Sequence, residues 1–152
     1  MQNLNIEKLQ ETIAFLQSKI TNKPEVGIIV GSGLGGLVQE VEIEHEFAYT
    51  DIPHFPLSTV KGHSGKLLFG KLNGKQVVML SGRFHYSEGY RMQEVTYPVR
   101  VMHGLRASLL MVSNAAGGMH KDFRVGDIML IQDHINLFPE HPLRGKNDEK
   151  IG

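Results

Sequence analysis

A ten-residue polar stretch, 81–90, concentrates the side chains best suited to bind an anion. It follows an apolar run, 77–80, and contains the guanidinium of Arg83, the imidazole of His85 and the carboxylate of Glu88. Arginine presents a planar pair of N–H donors to a phosphate or carboxylate, and a histidine two residues later adds another donor. The pattern fits an oxyanion-binding loop at the end of a strand. A solvated turn with one surface arginine fits it too.

A second loop places a hydroxyl among glycines. Ser32 lies between Gly31 and Gly33, directly after the apolar run 26–30, and Gly36 completes a formal G-x-G-x-x-G pattern. Backbone N–H groups at such a strand-to-helix turn bind a small free anion as well as a pyrophosphate. A NAD-binding oxidoreductase is therefore an alternative, although no second strand ends in an acidic residue at the expected distance. A tight turn that merely needs glycine is the structural alternative.

Two further loops carry unusual residues. His63 lies in the glycine-flanked segment 60–65, which suits a binding histidine or a surface turn better than a core histidine. Residues 114–118, Asn-Ala-Ala-Gly-Gly, follow the apolar run 108–113. Small residues at the end of a strand let a flat ligand approach the backbone closely, or let chain segments pack tightly.

Periodic patterns predict the elements that position these loops. Apolar residues at helical spacing predict a helix from Ile6 to Ile20, with Asn5 as its cap, and a second helix over 95–105. Asn-Gly at 73–74, between two apolar runs, predicts a hairpin. Continuous apolar runs predict strands, buried on both faces for the first two, at 26–30, 108–113 and 126–133.

Together these elements predict an α/β fold with a mixed, mostly parallel sheet flanked by helices. The carboxyl ends of parallel strands gather at one edge of a sheet, and ligands bind there. Cationic and hydroxyl donors from four loops would then converge on an oxyanion pocket, for which phosphate is the natural ligand.

Composition limits the classes of partner. The 152 residues suit one domain without an internal boundary, and a net charge of zero favours neither nucleic acid nor a membrane surface. There is no cysteine, which excludes disulfides and zinc-thiolate sites and fits a cytoplasmic location. The eight histidines are scattered without paired spacing, so we expect no metal site.

Five motifs in one order resemble the trimeric purine nucleoside phosphorylases. They are Gly31-Ser32-Gly33-Leu34-Gly35, Val60-x-Gly62-His63-x-Gly65, Gly82-Arg83-Phe84-His85-x-x-Glu88-Gly89, Asn114-Ala115-Ala116-Gly117-Gly118 and Pro142-Leu143-x-Gly145-x-Asn147-Asp148. They occur at about the family's spacing, and the resemblance covers residues 1–152 as the N-terminal half of a single phosphorylase domain. It implies a nucleoside phosphorylase-like fold and a homotrimer.

The resemblance also implies a reaction. Orthophosphate attacks C1′ of a purine ribonucleoside such as inosine or guanosine, which gives the free base and ribose 1-phosphate. The nucleophile is a co-substrate, so no cofactor is implied.

Individual roles follow from the same resemblance. Phosphate binding is implied for Ser32, His63, Arg83, His85 and the backbone N–H of Ala115. The purine and ribose pocket would include Tyr86, Ala115, Ala116 and Gly117. His85 would act as the catalytic residue between phosphate and ribose, while Glu88 would orient Arg83 or the loop.

The chain has about half of the family's usual length. The family's purine-recognising side chains fall in the half that is not represented, and Ser87 stands where the family has its ribose-contacting tyrosine. We therefore expect a fragment of a longer polypeptide, or a chain that needs a complementing one, with apolar strand surface exposed. A non-catalytic phosphate- or nucleoside-binding role is the alternative.

Overall fold

The computed structural model describes residues 6–31, 33–57 and 65–144. Its helices and strands, in chain order, are α1 (Ile6–Lys19), β1 (Val26–Ile29), β2 (Glu42–Ala48), β3 (Lys66–Leu72), β4 (Lys75–Ser81), α2 (Met92–Gly104) and β5 (Leu109–Val112). Short 3-10 helices occupy Gly35–Glu40, Tyr49–Asp51 and Tyr86–Glu88. Of the helices in these ranges, none is long and apolar enough to cross a lipid bilayer.

The five strands form one mixed sheet in the order β2-β3-β4-β1-β5. Strand β1 runs parallel to both β4 and β5, whereas β3 pairs antiparallel with β2 and β4. The predicted mixed α/β sheet is confirmed, with two parallel and two antiparallel pairings in the described chain. The carboxyl ends of β1, β4 and β5 consequently lie at one edge of the sheet.

The hairpin between β3 and β4 is confirmed at the predicted turn. Asn73 and Gly74 have φ angles of 48° and 75°, and left-handed backbone at both positions matches the twist of the paired strands. The tight turn sets the register in which Lys66 pairs with Ser81. Strand β3 therefore begins at the edge where β4 ends.

Alternating residues of the hairpin bury both faces of the sheet. Leu67 and Leu80 join a core with Leu16 of α1 and Val101 of α2, so both helices cover this face. Met79 faces the other way, into a smaller cluster that also contains Ile28, Val30, Val41, Leu68 and Val77. Complete burial of such an aliphatic side chain stabilises the fold by about 2 kcal/mol.

A buried hydroxyl pair ties α1 to α2. Thr12 Oγ1 lies 2.7 Å from the hydroxyl oxygen of Tyr97 and donates or accepts there, and it also contacts the carbonyl oxygen of Pro53 at 2.6 Å. Helix α1 spans the predicted range closely, while its expected cap, Asn5, lies outside the described residues.

Three strand assignments differ from the sequence prediction. Strand β2 was not predicted. It is rich in glutamate and mostly exposed, and its backbone pairs with β3. The strand predicted over 126–133 is wrong, because this stretch pairs with no strand of the described chain and its side chains are exposed. Strand β5 exists, but its predicted burial is wrong: its four residues are 41–60% exposed, since no described element covers this edge.

Candidate functional site

Three loops leave the same edge of the sheet. Val30, Gly82 and Ser113 are the first residues after β1, β4 and β5, and these three strands are parallel. The order of the sheet places β1 between the other two strands. The loops that carry the predicted anion-binding residues therefore start side by side, as the sequence predicts for a ligand site in an α/β sheet.

Arg83 links two of these strand ends directly. Its Nη1 donates a hydrogen bond to the carbonyl oxygen of Ser113 at 3.1 Å. Because β4 and β5 are separated by β1, the arginine side chain reaches across the end of β1. The half-buried guanidinium is thus held at the centre of the edge, where its planar set of donors can meet an oxyanion.

Ser113 also holds the glycine turn that comes after β1. The backbone N–H of Gly31 donates to Ser113 Oγ at 2.8 Å, and the N–H of Ser113 donates to the carbonyl oxygen of Ile29 at 3.1 Å. A Cβ atom at Gly31 would lie 2.4 Å from the carbonyl oxygen of Ser113. Glycine is required here because two backbones approach closely, which supports the structural explanation of the first glycine in the motif.

The glycine turn leads into a different element from the one found after a dinucleotide-binding turn. Gly35–Glu40 is a six-residue 3-10 helix, whereas a dinucleotide fold places the pyrophosphate at the start of an α-helix packed on the sheet. The geometry after Gly33 therefore gives the NAD-binding alternative no support.

His85 is paired with Glu88 inside the arginine loop. The imidazole Nδ1 and the Glu88 Oε1 form a short contact, and the two side chains are 43% and 20% exposed. The backbone closes around them, since the N–H of Glu88 donates to the His85 carbonyl at 3.0 Å. The sequence predicted that Glu88 orients Arg83 or the loop; the structure shows its carboxylate on His85, which fixes the direction of the imidazole.

The second oxygen of the Glu88 carboxylate does not share in this contact. Glu88 Oε2 is buried, and within the described ranges it meets no hydrogen-bond donor. A buried carboxylate oxygen without a donor is energetically costly. The His85–Glu88 pair therefore has the capacity to accept one more hydrogen bond.

The predicted pocket residues lie in two different loops. Tyr86 lies in the arginine loop, and its ring meets the ring of Phe138 edge-on, with centroids 5.5 Å apart. Ala115, Ala116 and Gly117 come directly after Ser113 and its neighbour Asn114, and they are exposed. They follow β5 at the same edge of the sheet as the arginine loop, and a Cβ at Gly117 would have no neighbour within 4 Å.

Two predicted phosphate ligands, Ser32 and His63, lie outside the described residues. Their nearest described neighbours along the chain are Gly31, Gly33 and Gly65. The roles of both side chains stay predictions.

Sequence reasoning missed two hydroxyl-bearing residues that organise this edge. The apolar pattern identifies Ser113 only as the last residue of a strand. No motif includes Tyr49. Its hydroxyl donates to the carbonyl oxygen of Gly82 at 2.7 Å. A serine that ends an apolar strand, opposite a glycine turn, is a signal that could have identified Ser113. No local signal marks Tyr49, because its partner lies 33 residues away.

The chain is similar to known proteins along most of its length. Residues 25–151 match the model of the phosphorylase superfamily. The purine nucleoside phosphorylase of Rattus norvegicus is 52% identical over 96% of this chain and 52% of its own length. Purine nucleoside phosphorylase 1 of Geobacillus stearothermophilus is 48% identical over 98% of this chain and 54% of its own length.

A solved structure shows the same similarity in three dimensions. Isoform 2 of purine nucleoside phosphorylase from Schistosoma mansoni, in complex with cytosine and ribose-1-phosphate, superposes with a TM-score of 0.90. It is 38% identical, and the match covers 99% of this chain and 54% of that one. This chain spans about half the length of the curated relatives it matches. The family match, the mixed sheet and the shared strand-end edge agree, and the chain belongs to the phosphorylase superfamily.

Proposed function

We propose that this chain forms the phosphate-binding part of a purine nucleoside phosphorylase. The observation that carries the proposal is the Arg83–Ser113 hydrogen bond across the joint edge of β1, β4 and β5. It holds a guanidinium among the glycine-rich and small-residue loops where a phosphate would approach the backbone. Similarity to purine nucleoside phosphorylases, one of them solved with ribose-1-phosphate, supports the choice of substrate.

The proposed reaction is phosphorolysis of a purine ribonucleoside. A phosphate oxygen forms a bond to C1′ while the bond from C1′ to the purine nitrogen breaks, and the departing base takes up a proton. Positive charge develops on the ribose, and a phosphate dianion held beneath the sugar stabilises it. The nucleophile is supplied by the co-substrate, so the proposal needs no cofactor and no protein nucleophile.

The proposed roles belong to the predicted residues. Arg83, His85, Ser32, His63 and the backbone N–H of Ala115 bind the phosphate. His85 lies between phosphate and ribose, and its pairing with Glu88 supports this role because the pair fixes the imidazole. Tyr86, Ala115, Ala116 and Gly117 contribute to the wall of the purine and ribose pocket.

Turnover is proposed to need further polypeptide. The exposed residues of β5 form an apolar edge strand, which proteins normally cover or pair. The relatives are about twice as long as this chain, so a segment equivalent to their unmatched half is the proposed cover. By the family resemblance, we further propose a homotrimer in the cytoplasm.

Phosphate-dependent release of hypoxanthine from inosine tests the proposal. The chain would be assayed alone and mixed with the unmatched half of the Geobacillus stearothermophilus relative, each with and without orthophosphate. We expect phosphate-dependent release in the mixture that exceeds the release by either part. Phosphate binding without release in the mixture would favour the non-catalytic phosphate-binding alternative. The absence of both phosphate binding and hypoxanthine release would contradict the proposal.

A further inference from the structure

Tyr49 lies buried beneath the arginine loop. Its side chain is 2% exposed, and its hydroxyl donates to the carbonyl oxygen of Gly82 at 2.7 Å. Gly82 is the residue between strand β4 and Arg83, and its φ of 109° is a conformation that favours glycine. The hydrogen bond therefore fixes the direction in which the chain leaves the strand.

The same side chain also holds the residue after Arg83. The ring of Tyr49 packs against Phe84 with centroids 5.2 Å apart, and against Phe55 at 5.0 Å. Phe84 is itself 5% exposed. One tyrosine thus contacts both chain neighbours of Arg83, one through its hydroxyl and the other through its ring.

The Tyr49 hydroxyl stays protonated at neutral pH and can therefore act as a donor. Burial raises the pKa of the Tyr49 phenol, so the group keeps its proton. A carbonyl oxygen accepts only from a protonated phenol. The backbone N–H of Tyr49 donates to the Gly65 carbonyl at 2.8 Å, which anchors the tyrosine itself to the start of β3.

We propose that Tyr49 is a positioning residue that sets the guanidinium of Arg83 for orthophosphate binding, through Gly82 and Phe84. Tyr49 does not itself touch the phosphate. The inference rests on the proposed function insofar as the ligand is phosphate. The positional part, from Tyr49 to Arg83, stands on the contacts alone.

Replacement of the hydroxyl tests the inference, with Tyr97→Phe as the matched control. Tyr97 is also buried and also loses hydroxyl contacts, but its partners Thr12 and Lys8 belong to α1. Calorimetric titration with orthophosphate should show affinity about fivefold weaker in Tyr49→Phe, because a loosened Arg83 must be ordered on binding, and unchanged in Tyr97→Phe. Where the parent binds phosphate, equal affinity in Tyr49→Phe and the parent, or equal losses in both variants, would overturn the inference.

A second readout separates this inference from the proposed function. The Nε–Hε signal of Arg83 in a nitrogen-15 NMR spectrum, assigned through Arg83→Lys, should shift in Tyr49→Phe and keep its position in Tyr97→Phe. Phe84→Leu, which removes the ring contact and leaves the hydroxyl, should shift it as well. If the parent binds no phosphate and the signal shifts, the proposed function fails and the positioning stands. An unshifted signal in Tyr49→Phe refutes the positioning whatever phosphate does.

Discussion

The guanidinium of Arg83 and the backbone of Ser113 are joined by a 3.1 Å hydrogen bond that crosses the end of a third strand. The two residues come after β4 and β5, which do not pair with each other; β1 lies between them. Ser113 in turn bonds the glycine turn after β1. One serine therefore ties together three of the four loops in which sequence motifs predicted anion binding.

Gly31→Ala should destabilise the fold by about 2 kcal/mol, because the added methyl would overlap backbone atoms that cannot move cheaply. The nearest of these is the carbonyl oxygen of Ser113 at 2.4 Å. Urea denaturation would measure the change. Gly36→Ala is the matched control: a Cβ there meets nothing within 4 Å, so its effect should stay within about 0.5 kcal/mol. Equal stabilities of the two variants would show that the close approach of Gly31 to Ser113 does not require glycine.

Glu88→Gln should release the imidazole of His85 from its carboxylate partner. Since both groups are partly exposed, the expected loss of stability is below about 1 kcal/mol, but the ring nitrogen signals of His85 should move in NMR spectra. Glu11→Gln is the control, because Glu11 pairs with His54 at 2.5 Å on another part of the surface. That variant should move only the His54 signals. Unchanged His85 signals in Glu88→Gln would contradict the pairing of His85 with Glu88.

Stability should fall in alkaline solution because two tyrosines are buried as neutral phenols. Burial raises the pKa of both Tyr49 and Tyr97 in the folded chain. An unfolded tyrosine ionises near pH 10, so this stabilisation is complete below about pH 10 and decreases as the pH rises above it. Urea denaturation between about pH 8 and 11.5 should show a shallower loss in Tyr49→Phe than in the parent chain. A loss as steep as the parent's would show that Tyr49 does not contribute to the alkaline destabilisation.

The exposed strand β5 should promote association of the isolated chain. Its edge is unpaired within the described residues, and Val112 is 60% exposed. Sedimentation at increasing concentration should reveal association that Val112→Lys reduces, since a charge on an edge strand opposes pairing. Leu57→Lys, a substitution of a similarly exposed apolar residue outside the sheet, should leave association unchanged. Equal effects of both substitutions would exclude a specific role for β5.

Local patterns predicted the elements whose causes are local. The hairpin is predicted by Asn73-Gly74, and α1 by its helical spacing, and both are present. The common edge of β1, β4 and β5 agrees with the rule for parallel strands. These features depend on backbone preferences and periodicity, which a sequence displays directly.

Features that depend on distant partners were not predictable in the same way. Strand β2 forms because its backbone pairs with β3, and only a weak alternation of Ile43, His45 and Phe47 indicates it. The run 126–133 has the composition of a strand but has no partner among the described residues. The Tyr49–Gly82 contact joins residues that no motif connects, so only the structure reveals it.

Calorimetric titration of the chain with orthophosphate tests the central claim most directly. The parent should bind at one saturable site, and Arg83→Ala should weaken binding by at least about tenfold, because it removes a charged donor. Arg100→Ala, which removes a partly exposed arginine from α2, should bind as the parent does. Undiminished binding by Arg83→Ala, or no binding by the parent, would contradict the assignment of this edge as a phosphate site.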